Sequence, residues 1–200
     1  MPSGVADTPC CCRGWRHEEA IAEAQRAHEL DPLDLLTHTV VGDTLFFARR
    51  FDRSVASYRK CLELDPTFGA AHTDLARSLE HVGRTDEAVE EFLRGTAGPD
   101  GRPRPSTGLA ILYARAGRQD DARATMEALF ALAQRQYVSP FGIASYYAVT
   151  GDNDRALDWL ERAYAERDGG LVWLKVHPRL DGLRGESRFR DLLARMRLDS

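Results

Sequence analysis

A chain of 200 residues with 43% hydrophobic and 29% charged content has the apolar material for one ordinary domain or a short solenoid, which argues against disorder throughout. A net charge of -4 and a pI near 5.9 give no general attraction for a phosphate backbone or anionic lipid, so nucleic acid is the weaker expectation. No stretch approaches the ~18–20 apolar residues of a membrane-spanning helix, and Met1 to Thr8 lack a basic region followed by an apolar core, so a cytoplasmic location is expected.

Residues 1–15 carry Cys10, Cys11 and Cys12, which are too close together to staple distant parts of a fold. With His17 they could form a soft-metal or redox cluster, since thiolates and imidazole suit zinc or copper. Their spacing matches no zinc pattern, and a disordered tail accounts for the segment better. No metal site is expected there.

From Arg16 onward the chain repeats. "AHELDP" ending at Pro32 recurs as "CLELDP" ending at Pro66, 34 residues later. The same step aligns Gly83, Gly117 and Gly151. It also aligns the small residues Ala20, Ser54, Ala88, Ala122 and Ala156, and the acids Glu18, Asp52, Asp86, Asp120 and Asp154. Each frame predicts two antiparallel helices. The first has a stripe of apolar and small residues: Val41, Gly42 and Leu45; Leu75, Ala76 and Leu79; Leu109, Ala110 and Tyr113; Ile143, Ala144 and Tyr147. A glycine able to take the left-handed conformation ends it. The acidic column then falls in the first turn of the second helix, at the positive end of its dipole.

Frame one has only its second helix, about Arg16 to Leu30, because Gly4, Asp7, Thr8 and Cys11 make no apolar stripe for a first one. That helix is expected to expose a face that a neighbour would cover, a possible surface for self-association or for an upstream domain. Between Gly95 and Pro105 the run "GTAGPDGRPRP" stops one helix early and starts the next late, as a loop inside one solenoid. After Asp168 the columns fail. A short apolar segment, a break at Pro178 and a final helix follow, with Phe189, Leu192, Leu193 and Met196 on one face, expected to cap the array.

These columns resemble the tetratricopeptide repeat family over residues 16–168. The resemblance implies an all-α, right-handed superhelical solenoid of antiparallel helix pairs that binds a protein or peptide in its concave groove. The bulky residue that the family often carries early in the first helix is here His38, His72, Ser106 and Pro140, and the closing proline becomes Asp100, Gln134 and Asp168. Residues 169–200 resemble the closing element of bacterial tetratricopeptide arrays, through Val176, Pro178, Leu180, Asp181, Leu183, Arg188 and Phe189. Two lysines against 25 arginines suggest GC-rich coding and hence a bacterial source. The alternative reading is the C-terminal regulatory part of a larger bacterial kinase, cyclase or winged-helix regulator.

No catalytic constellation stands out. His38 and His72 share a packing column, which favours a structural role over a metal site. Asp120 with Asp121 and Glu18 with Glu19 lie where helix-starting acids belong. Arg184, Arg188, Arg190, Arg195 and Arg197 are interleaved with Glu186 and Asp191, as on a solvated face. The absence of a phosphate loop, a nucleophile motif or a metal-binding helix leads to the expectation of no cofactor and no enzyme activity. Helical geometry together with the family's groove assigns Thr39, Asp43, Phe46, Thr73, Arg77, Glu80, Thr107, Ile111, Phe141 and Ser145 to the partner-binding face. Phe46 and Phe141 are the expected anchors, and Asp43, Arg77 and Glu80 the specificity contacts. The lysines and asparagines of the family's peptide-carboxylate clamp are missing from these places.

Overall fold

The computed structural model describes residues 16–98 and 104–198. The expected tail at 1–15, with Cys10, Cys11 and Cys12, and the position of Asp100 lie outside the described residues. Ten α-helices follow in order: α1 His17–Leu30, α2 Leu35–Phe47, α3 Phe51–Leu64, α4 Gly69–His81, α5 Thr85–Thr96, α6 Thr107–Arg115, α7 Gln119–Ala133, α8 Pro140–Thr150, α9 Asn153–Glu166 and α10 Ser187–Arg195. Two 3-10 turns, Gly169–Trp173 and Pro178–Leu183, lie between α9 and α10. The fold is an all-α solenoid in which α2/α3, α4/α5, α6/α7 and α8/α9 pack as antiparallel pairs.

The turn inside each pair is built the same way four times. Arg50, Arg84, Arg118 and Asp152 donate their amides to the carbonyls of Leu45, Leu79, Tyr113 and Tyr147 at 2.8–3.0 Å. Each bond crosses a residue with positive φ: Arg49, Gly83, Gly117 and Gly151. The small column sets how closely the helices meet. A Cβ on Gly42 would stand 2.6 Å from the Tyr58 ring, so the repeat with the largest partner takes the smallest residue. Between pairs, His38 and His72 place Nε2 3.0 and 2.9 Å from the carbonyls of Pro32 and Pro66. Histidine thus ties the first helix to the turn before it. His72 also meets Glu91 through Nδ1 at 2.6 Å.

The interrupted stretch shortens its helices: α5 has 12 residues against 14 in α3, and α6 has 9 against 13 in α4. Beyond α9, Asp168 acts as a joint. Its carboxylate accepts from Ser139 Oγ at 2.6 Å and from the amides of Phe141 at 3.0 Å and Gly170 at 2.8 Å. Burial would raise its pKa, but these donors hold it below the usual carboxylate range. Leu171, Leu174, Leu180, Leu183, Phe189 and Leu192 then enter one apolar core with Phe141, Ala144, Ala156, Leu157, Leu160 and Ala163 of the last pair. Arg188–Asp158 at 2.8 Å and Arg195–Glu161 at 2.6 Å fasten α10 along α9.

Candidate interaction surface

The first helices α2, α4, α6 and α8 form the face that serves as the groove in tetratricopeptide arrays. Here the chain's own residues 173–181 lie across it. Arg179 reaches the wholly buried carboxylate of Glu80 with Nη2–Oε2 at 2.5 Å and Nε–Oε2 at 3.1 Å. Arg115 stands 3.6 Å from the same carboxylate. Burial alone would raise the Glu80 pKa, and Arg179, chiefly, holds it below its ordinary value. The Arg49 guanidinium donates to the Val176 carbonyl at 3.2 Å and to Asp181 Oδ1 at 2.9 Å. His177 caps the second 3-10 turn by accepting the Arg179 amide at 3.2 Å, with its ring facing Phe46 and Phe141. Trp173 stacks on Phe47, ring centres 4.5 Å apart and planes within 4°.

This segment corrects the sequence-based assignment. Phe46, expected as an open anchor, is fully buried among Phe47, Phe51, His81 and His177, with Arg77 stacked on its ring at 4.5 Å. Phe141, the second expected anchor, is buried against Gly170, whose Cβ would lie 2.6 Å from its ring. Glu80 is consumed by Arg179. Ile111 is buried, and Ser145 is buried with its hydroxyl bonded to the Phe141 carbonyl at 2.9 Å. Thr107 packs against Gly142 of α8, and Thr73 against Gly95 of α5. The physical reason is common to the apolar members: a row of large side chains is covered by whatever apolar chain is nearest, and here that is the chain itself.

Asp43, Arg77 and Thr39 remain partly exposed at the amino-terminal end of the face. Asp43 Oδ1 accepts from Tyr58 Oη at 2.7 Å and from Arg77 at 2.8 Å, and Arg77 also meets Asp74 at 3.1 Å. Burial raises the Tyr58 pKa and lifts Asp74 to about 6 even with Arg77 beside it. His81, shielded from water and surrounded by Arg179, Arg115 and Arg49, falls to about 4. His177 is lowered by burial and by Arg179, Arg77 and Arg49. Next to Asp43 opens a cavity of about 220 Å3, walled by Ala20, Val40, Thr44, Phe47, Trp173 and Val176.

Sequence reasoning missed Arg49, Trp173, His177 and Arg179. One signal for Arg49 was present: it fills the place in the left-handed column that glycine takes in the next three frames. The other three lie outside the repeat register, where no column points to the groove. Among the described residues no group of three or more His, Cys, Asp or Glu side chains is placed to hold a metal ion, and no helix is long and apolar enough to cross a membrane.

A search of curated protein sequences finds no match. Among solved structures, the chain resembles the crystal structure of MamA, with TM-score 0.50 and 19% identity over 76% of this chain and 88% of that one. It also resembles a chain in the crystal structure of the APC/C hetero-tetramer Cut9–Hcn1, with TM-score 0.57 and 16% identity over 92% of this chain. It spans only 37% of that longer chain. At these identities the likeness is one of fold. Three profiles, each described as tetratricopeptide repeat, match residues 37–68, 57–90 and 103–128. With the 34-residue register and the paired helices, these matches identify the chain as a tetratricopeptide repeat protein.

Proposed function

We propose that the chain is a non-catalytic protein-interaction scaffold, and that it takes a polypeptide segment on the amino-terminal part of the first-helix face. The observation that carries this reading is the contrast along that face. Its middle is closed by residues 173–181, whereas Asp43, paired with Arg77 and one helical turn from Thr39, lines an apolar cavity. Apolar walls supply non-specific attraction, and the charged Asp43–Arg77 pair supplies discrimination. Phe46 shapes this surface from below by supporting Arg77, and does not touch the partner.

A photo-crosslinking amino acid at Thr39, compared with one at Lys60 on α3, tests the reading in cells of the source organism. A discrete protein captured from position 39 and not from 60 is the expected result; no capture from 39, or the same products from both, would contradict it. The second reading, a regulatory portion of a larger bacterial regulator, is favoured by the apolar exposure of Leu33, Leu36 and Val40 on the first complete repeat. Sequencing the reading frame upstream decides it: an in-frame kinase, cyclase or winged-helix domain supports that reading, and a stop codon removes it.

A further inference from the structure

The repeat register says more about the open end than that something binds there. Within the array, successive first helices lie side by side, as α2 does on α4 and α6 on α8. In the first of these contacts Asp43 of α2 meets Arg77 of α4, and Phe46 meets His81, ring centres 5.5 Å apart. Stepping back by 34 residues, the places of Arg77 and His81 become Asp43 and Phe47 on α2. Among the described residues no first helix precedes α2; Trp173 of the first 3-10 turn stacks on Phe47, and His17 and Ala20 of α1 border the cavity at the end of that side. The side carries exposed apolar side chains, Leu36 at 64% and Val40 at 49%, and continues into the cavity walled by Phe47 and by Trp173, itself 42% exposed. Asp43 has 42% of its side chain in solvent; its Oδ1 serves Tyr58 and Arg77, and its Oδ2 has no partner among the described residues.

The geometry points to an amphipathic helix of a partner protein docking along α2 in the register of a preceding first helix. A lysine or arginine on it pairs with Asp43 Oδ2, and a large apolar or aromatic residue three positions later enters the cavity against Phe47 and Trp173. Two features select this occupant. The surface continues an interface the array already uses between its own helices, and the unshared carboxylate oxygen, in a cluster where Asp43 and Asp74 outnumber Arg77, favours a cation. The inference rests on the reading of the chain as an interaction scaffold, and it specifies the shape and charge of the partner.

The probe is a labelled synthetic peptide with the sequence of residues 33–49 carrying Asp43→Lys, which is α2 itself with the required cation, titrated into the full chain and followed by anisotropy. The unsubstituted peptide is the control, because it would replace the chain's own α2 at least as well but sets two carboxylates face to face in the docked register. The lysine peptide should bind at least about tenfold more tightly than the control, and Val40→Glu in the full chain, an exposed change that leaves helicity intact, should weaken it by a similar factor. Equal binding of the two peptides, no saturable binding, or binding indifferent to Val40→Glu would overturn the proposal. A dimer of the chain that Val40→Glu dissociates would assign the surface to a second copy instead. Failure here while the Thr39 crosslinker still captures a protein would remove the helix geometry alone; failure of both would remove the scaffold reading too.

Discussion

Arg49 occupies a backbone conformation that favours glycine, with φ of 63°, and its neighbours in the column, Gly83, Gly117 and Gly151, obey the rule. A non-glycine there costs about 1–2 kcal/mol, so the side chain must return something, and its guanidinium ties α2 to the Val176 carbonyl and to Asp181. The two contributions separate by substitution. Arg49→Ala loses the contacts and keeps the strain, whereas Arg49→Gly loses the contacts and relieves it, so the glycine variant should be the more stable by about 1 kcal/mol in denaturant melts. Equal stability would show that the backbone is not strained. Glu80 and Arg179 form the deepest pair. Arg179→Ala leaves a carboxylate buried without its main partner and should cost about 3–5 kcal/mol, while the double variant Glu80→Leu/Arg179→Met should cost much less. A double variant no better than Arg179→Ala would show that the pair is not coupled. Asp43 and Arg77 were legible as charged residues on the groove face, since helical spacing alone puts them there. The burial of Phe46 was not, because it is completed by His177, more than a hundred residues away in sequence.

At the scale of helices and turns, the sequence was most informative where one column repeats. Left-handed glycines, first-turn acids and small residues each serve a local requirement that every frame meets in the same way, so their period shows in the letters. The histidine column was readable as structural but not as a ligand of the proline carbonyls, because that bond depends on the path of the turn. The closing segment shows the opposite limit. Its last helix was readable from amphipathic spacing, and Phe189 and Leu192 are buried against the last pair. Its 3-10 turns carry no period, so their path into the groove was invisible. Deleting residues 185–200 exposes the surface under those two side chains. At roughly 1.5–3 kcal/mol for each well-buried large apolar residue, the loss rivals the stability of a small domain. The truncated chain should melt at a markedly lower temperature or aggregate; an unchanged midpoint in a monomeric product would show that α10 adds nothing.

For the whole molecule, the closed groove sets both the pH response and the place left for a partner. His81 and His177 resist protonation when folded, so the unfolded chain binds protons that the native one refuses. Their contribution is complete above the ordinary histidine pKa near 6.5 and is lost as pH falls toward 4. Asp74, raised to about 6, works in the other direction, costing stability as pH rises from about 4 to 6. Two histidines against one carboxylate leave a net loss on acidification. His81 alone accounts for about 2–3 kcal/mol of it, so His81→Gln should flatten the melting temperature profile between pH 7 and 4.5. A profile as steep as the parent's would put the titration elsewhere. Native-state hydrogen exchange tells whether residues 173–181 are a fixed part of this face or a loop lying over it. The amides of Val176, His177 and Leu180 are all hydrogen-bonded within the segment, so they should exchange as slowly as those of α4, through global unfolding. Exchange of these amides at the rate of an exposed loop, while α4 stays protected, would mean that the groove opens and would contradict the account.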